Sequence, residues 1–463
     1  MAADGGFIHP YIPNAAPGPR RKLLDAVGVA RADDLYDAIP DALRLKRPLD
    51  LPAPLGAEQA LRRHLEAIVA KNRHTGEMLS FLGAGCWPHY VPAVCDEIAQ
   101  RGEFLTTYGS WPDSDHGKFQ AMFEYQSLLG ALLGFEVVTA PTYDAGCAAD
   151  SAVLMAVRLT GRSEILVPDT MSSDRFAQMR GFTKPYARLV RVGHDRRTGL
   201  IDLADLKGKV GDRTAAVYFE TPGHLGTIET QAAEIVALAH ARGALAVAGV
   251  DPISLGVLAP PGDYGADIAV GDLQPLGIRM TGGGGLAGFI ACRDEQRFVE
   301  ELPTFLVSIV PTAENRGFGF GVSTMERTSY DRRESATDYY GTTQWLWGIV
   351  AGIYLSLMGP DGMAELGRGI MQRARYAAQR LGAIRGVTAP LLAGPFFKEV
   401  AVGFAGKSVA EINRALLERG IFGGKPLAAE QPELGNAALY CVTEVHSQAD
   451  IDRLASALEE ILR

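Results

Sequence analysis

Val247-Ala248-Gly249-Val250-Asp251-Pro252 is the stretch on which the fold turns. Its small and β-branched residues offer no polar side chain to water on either face, and the run closes on an aspartate and a proline. Such a strand belongs in a parallel sheet covered by helices on both sides. An aspartate at its carboxyl end lies on the rim where open α/β sheets bind ligands. Comparable runs flank it: Glu164-Ile165-Leu166-Val167, Ala215-Ala216-Val217-Tyr218-Phe219 and Ile268-Ala269-Val270. Helical stretches such as Gln231 to Arg242 separate them. Another strand is expected from Leu286 to Cys292. Only Gly271 to Gly285 precede it, a gap too short for a helical crossover, so it is expected to run antiparallel. Residues 76–330 therefore read as a large α/β domain built on a mainly parallel sheet.

Outward from this core the pattern changes twice. Residues 1–75 read as a polar helical arm. A short helix is expected from Pro19 to Val29. A second, from Ala57 to Asn72, carries Leu61, Leu65, Ile68 and Val69 on one face. The proline-punctuated link Leu45-Lys46-Arg47-Pro48-Leu49-Asp50-Leu51-Pro52 is extended. The arm has too little apolar material for a core of its own and is expected to wrap a larger body or a partner. Residues 331–463 read as a small α+β domain. In it a core helix from Tyr339 to Met358 is broken by Gly359-Pro360 and followed by a helix from Asp361 to Gly382. Strands are expected near Lys398 to Phe404 and Ala438 to Val442, and helices at Ser408 to Arg419 and Gln448 to Leu462.

Composition excludes several classes. At 463 residues the chain can bury a sizeable core without metal or disulfide staples. Forty-five basic against 54 acidic residues give a net charge of −9, and no basic stripe marks a nucleic-acid binder. Five scattered cysteines without a CxxC pair read as reduced thiols in a cytoplasmic protein. The first eighteen residues do not read as a signal peptide. The longest apolar stretch, Trp345 to Met358, falls short of the ~20 residues of a membrane span.

The rim aspartate suggests a chemistry. In pyridoxal-phosphate enzymes of the aspartate aminotransferase fold, an aspartate at this place holds the pyridine nitrogen, and a lysine one strand later forms the Schiff base, for which a primary amine is required. Asp251 suits the first role by spacing, or equally a turn at the strand end. The second place holds Gln274, and an amide cannot form that bond. Elsewhere, His89 and Tyr90 follow the glycine turn Gly83-Ala84-Gly85 and are either ligand contacts or a buried pair under a loop. Asp113, Asp115 and His116 read as a solvated turn rather than a metal site, and no metal is expected. Gly282 to Gly285 suit a tight link between strands. Arg332 could clamp a carboxylate or pair with Glu334. His194-Asp195 reads as a surface turn, and Cys86 and Cys147 as unactivated thiols.

Longer strings carry a family resemblance. They are Tyr11-Ile12-Pro13-Asn14; Ile39-Pro40 with Leu43 through Pro52; Ser80 to Gly85 with His89-Tyr90-Val91-Pro92-Ala93-Val94; Gln120 to Gln126; Val250 to Gly256; Pro260 to Gly271; Arg332 to Thr337; and Cys441 to Glu444. In this order, nearly end to end, the chain resembles the first (α) subunit of the two-subunit glycine dehydrogenase (decarboxylating), the P-protein of the glycine cleavage system. The resemblance implies an α/β fold of the pyridoxal-phosphate-dependent transferases (fold type I) with a small α+β C-terminal domain. It also implies a chain that lacks the Schiff-base lysine, with Gln274 in its place and Asp251 a vestige.

By the same resemblance, pyridoxal phosphate belongs to a homologous β subunit, and no catalytic residue is expected from this chain alone. The chain would complete the partner's pocket through His89, Tyr90, Tyr108, Trp111, His116 and Arg332. The implied assembly is a dimer or an α2β2 heterotetramer. It would act on a small amino acid and pass an aminomethyl group to the lipoyl H-protein, with no nucleic acid or membrane involved. Four loops depart from the family: Tyr108 to Gly117, Thr142 to Ala148, Glu220 to Glu229 and Ala336 to Leu346. They leave two alternatives open, a paralogue acting on another amino acid and a non-catalytic homodimeric scaffold.

Overall fold

Apolar runs with helices between them have one way to bury both faces, and the computed structural model takes it. It describes residues 8, 11–47, 49–105, 116–283, 286–304, 306–323, 328, 338, 340 and 343–463. The chain forms two compact units, residues 1–73 and 74–463.

In the larger unit a seven-stranded sheet runs in the order Val137–Val138, Gly288–Cys292, Ile268–Asp272, Leu245–Val250, Thr214–Thr221, Glu164–Pro168, Arg188–Val192. The last five are mutually parallel. Gly288–Cys292 is antiparallel to Ile268–Asp272, as the short connection requires, and Val137–Val138 is antiparallel at the edge. Every residue of Leu245–Val250 is buried, so the opening stretch is the middle of the sheet. One face packs under Ala145–Thr160, which presents a run of buried alanines, with Val153 and Met155 against Ile165, Val247 and Ile290. The other face meets Phe119, Met122, Tyr125 and Leu129 of His116–Leu133 together with Ala232–His240.

The sheet order reverses at Glu164–Pro168: the next strand in sequence, Arg188–Val192, lies on one side of it and the one after, Thr214–Thr221, on the other. Beside that reversal the carboxyl ends of three adjacent strands, at Glu220, Asp251 and Asp272, open on one cleft.

The C-terminal part of this unit carries its own sheet. Glu399–Phe404 pairs antiparallel with Ala437–Cys441, flanked by Val387–Thr388 and Lys425–Pro426. Val409–Glu418 and Gln448–Leu462 cover it, each started by a capping box (Ser408 with Glu411, Ser447 with Asp450). The helical stretch Trp345–Gly382 is interrupted where the sequence places the break: Gly359 adopts φ 58° and ψ −179°, outside the helical region, and a second helical run starts at Pro360. Leu79–Ser80 pairs parallel with Ile421–Phe422.

Among the described residues of 1–73 the α-helices are Pro17–Val27 and Glu58–Val69, and neither contains a buried residue. Leu61, Leu65, Ile68 and Val69 share one exposed face. Among the described residues no helix is long and apolar enough to cross a membrane.

Candidate functional site

Asp251 does two things at the end of its strand. Its Oδ1 accepts from the Ile253 N–H at 3.0 Å, closing the turn. Its Oδ2 lies 2.7 Å from Lys398 Nζ. Lys398 and Asp251 are only 3% and 7% exposed. Two ions this deep are held only if they face each other and the rest of each is satisfied. The remaining Lys398 contacts meet that demand. The ammonium sits 3.6 Å from the centre of the Trp87 ring, an arrangement favoured by the ring's negative face. It also approaches His89 Nε2 at 3.0 Å. A lysine ammonium can only donate, so His89 Nε2 accepts and its Nδ1–H is directed at Glu444, 2.9 Å away. A buried row results: Asp251, Lys398, His89, Glu444.

Gln274 stands beside this row and is fully engaged. Its Oε1 accepts from Trp87 N–H at 3.1 Å, while its Nε2 donates to the carbonyls of Trp87 and Ile278, each at 3.1 Å. The amide thus clasps the backbone of Trp87 from both sides, which an amine could not do. Glu399 accepts from Ala84 N–H at 2.6 Å, Glu444 accepts from Tyr90 N–H at 2.6 Å, and Thr443 donates to the Pro88 carbonyl. Five side chains from three other segments therefore end on one loop, Gly83 to Tyr90. The loop comes this close because residue 83 is glycine: a Cβ there would meet Glu399 Oε1 at 2.4 Å and Cys441 Cβ at 2.7 Å.

On the far wall, Arg175 pairs with Glu220 at 2.7 Å, and Tyr218 donates to the same carboxylate at 2.9 Å. Burial opposes the Arg175 charge, but Glu220 beside it holds the guanidinium protonated. His224 bonds Glu430 at 2.9 Å; that bond, aided by Lys425, holds the Glu430 carboxyl at about 2. Burial pushes Asp272 up to about 7 and raises Glu399 as well. The open space left among these groups is about 80 Å³, far below the ~300–1,000 Å³ of small-molecule sites.

The sequence-derived candidates fare differently. Asp251, Gln274 and His89 come together. Tyr90 follows His89 but points away and is 64% exposed. His116 opens the helix His116–Leu133; its side chain, together with Tyr108, Trp111, Arg332 and most of the 108–117 loop, lies outside the described residues. The surface turn read at His194-Asp195 is present, with Asp195 Oδ1 accepting from the Arg197 and Thr198 N–H groups, but the His194 ring is buried and bonds Asp169 at 2.7 Å, because the neighbouring strand end supplies an acceptor. Lys398 and Glu444 were missed as site residues. One signal was available, the charged pair Lys398-Glu399 set between Phe396-Phe397 and Val400-Ala401-Val402, since charges inside an apolar run have to be paired. Among the described residues no group of three His, Cys, Asp or Glu could hold a metal. Burial raises the Cys86 and Cys95 thiols to about 11 and those of Cys147 and Cys292 to about 12, and it raises Cys441 also.

This sheet, with an aspartate at the end of its central strand, is that of the fold type I pyridoxal-phosphate-dependent transferases. A sphingosine-1-phosphate lyase of Burkholderia pseudomallei shares the fold at a TM-score of 0.64 and 14% identity, over 92% of this chain and 94% of that one. Much closer is a crystal structure of glycine decarboxylase (P-protein) of the glycine cleavage system in inhibitor-bound form. It gives a TM-score of 0.87 and 35% identity over 99% of this chain and all of that one. The pattern defining the glycine cleavage system P-protein matches residues 9–458. Two probable glycine dehydrogenase (decarboxylating) subunits 1 are similar end to end. That of Staphylothermus marinus is 37% identical over 98% of both chains, and that of Aeropyrum pernix 38% identical over 98% of this chain and 99% of the other. The chain belongs to the glycine cleavage system P-protein family.

The cofactor of that fold does not fit this chain. No lysine stands at position 274, Asp251 is already neutralised, and the space beside it is too small.

Proposed function

We propose that this chain is the α subunit of a two-subunit, glycine-cleavage-type amino acid decarboxylase. A homologous β subunit carries the pyridoxal phosphate, whose ring accepts the electrons released as carbon dioxide leaves. The aminomethyl group then passes to the lipoyl H-protein. The observation that carries the reading is the conjunction of end-to-end similarity to subunits 1 with an amide, Gln274, bound on both sides where the fold's lysine would stand. The chain's own contribution is to close and shape the partner's pocket and keep water out of it. Tyr90, the 108–117 loop and Arg332 are its nominated contacts; His89, enclosed between Lys398 and Glu444, is not offered to a partner. Nothing in the site favours a divergent paralogue or a scaffold.

Co-expression with the lysine-bearing homologue tests this. Glycine-dependent exchange of labelled bicarbonate into the carboxyl group, in the presence of H-protein, is expected from the pair and from neither chain alone. Full activity of the lysine-bearing chain by itself would overturn the reading.

A further inference from the structure

Asp251, at the end of the central strand, is the group placed to recognise a protonated pyridine ring, and it is not available. Its Oδ2 is held by Lys398 Nζ at 2.7 Å, and the ammonium lies 3.6 Å above the Trp87 ring centre. A cation stacked on the aromatic ring and ion-paired with the aspartate takes the place that a bound heteroaromatic cation would take. Trp87 is held in turn by Gln274, whose amide takes the Trp87 N–H and donates to the Trp87 carbonyl.

We infer that the cleft is occupied by the chain's own side chains. Lys398, seated on Trp87 and locked by Asp251 and His89, is an internal counter-ion that keeps pyridoxal phosphate and other pyridinium-like aromatics out of this subunit. Loss of the lysine at position 274 is then only half of the adaptation. A chain that merely lacked it would still offer a vacant acidic cleft, able to capture the cofactor without a covalent bond and withdraw it from the partner. Lys398 cannot double as the missing Schiff-base lysine. Its nitrogen sits on the carboxylate that would hold the ring nitrogen, whereas the aldehyde of the cofactor is on the opposite side of that ring. This inference concerns the isolated chain and stands or falls apart from the identity of the partner or substrate.

The test uses the full chain in four forms: wild type, Gln274→Lys, Lys398→Ala and the double variant. Each is incubated with pyridoxal phosphate and reduced with borohydride. Peptide mapping then locates the pyridoxyl group, which separates a site adduct from adducts on surface lysines. The double variant is expected to gain a pyridoxyl group at position 274, and Gln274→Lys alone to react about tenfold less well or worse. Equal modification of Gln274→Lys with Lys398 still in place would overturn the inference, as would a folded double variant that stays unmodified. A measurement on the unaltered chain guards against misfolding at position 398. Pyridoxal phosphate is expected not to quench Trp87 fluorescence, scored as the difference from Trp87→Phe. Saturable quenching at micromolar cofactor would overturn the inference without any change at position 398.

Discussion

At the scale of single residues the site is a set of buried charges whose partners are far away in the chain. Asp251 and Gln274 could be read from the sequence because each stands at a fixed offset along a strand pattern. Lys398 offered only the signal of a charge inside an apolar run, because its partner is fixed only when the C-terminal strand Glu399–Phe404 folds. Removing one member of a buried pair leaves the other uncompensated. Lys398→Ala should therefore destabilise the chain by ~3–5 kcal/mol, read as the shift in urea midpoint. Lys398→Ala with Asp251→Ala, which removes both charges, should recover part of that loss. Asp272 gives a pH dependence. Its carboxyl is raised by burial from the ordinary 3.8 to about 7. The folded state therefore binds a proton that the unfolded chain has lost between those values, and stability falls as pH rises through this window. The slope contributed is up to ~1.4 kcal/mol per pH unit. Asp272→Asn, which can still accept the Gln274 N–H, should be more stable than wild type above pH 7, with the advantage gone near pH 4.

At the scale of elements, periodicity served well wherever one face is apolar. The parallel strands, the antiparallel turn-back at Gly288–Cys292 and the helix Gln448–Leu462 all follow from it. The Gly359-Pro360 break follows from local residue chemistry as well, since Gly359 takes a positive φ that ends one helical run and Pro360 opens the next. The loop Gly83 to Tyr90 is irregular and has no pattern to read; its shape comes from Gln274, Glu399, Thr443 and Glu444. Gln274→Ala removes the clasp on Trp87, so amide hydrogen exchange across residues 83–90 should quicken while the central strand Leu245–Val250 stays protected. No change in the loop would mean that the other contacts suffice. A Ser408→Ala substitution loses a capping box and should cost ~1 kcal/mol.

At the scale of the whole molecule, the apolar stripe on Glu58–Val69 was plain in the sequence, and it is exposed in the structure. Leu65→Asp with Val69→Asp should alter the stability of the isolated chain by no more than about 0.5 kcal/mol. The same pair should weaken association with the β subunit, measured by sedimentation velocity of the mixed chains. Undiminished association would show that this stripe is not part of the interface. The pocket contacts nominated on the 108–117 loop were legible only as departures from a family pattern, and most of that loop lies outside the described residues.

The raised thiols have a consequence for how the protein ages. Nucleophilic sulfur is the thiolate, and with Cys86 and Cys95 pushed up to about 11, Cys147 and Cys292 to about 12 and Cys441 raised by burial as well, little of it is ionised at neutral pH. Peroxide and electrophiles attack through that form. The folded subunit should therefore tolerate oxidising conditions without reductant and take up maleimide only after denaturant exposes its cysteines.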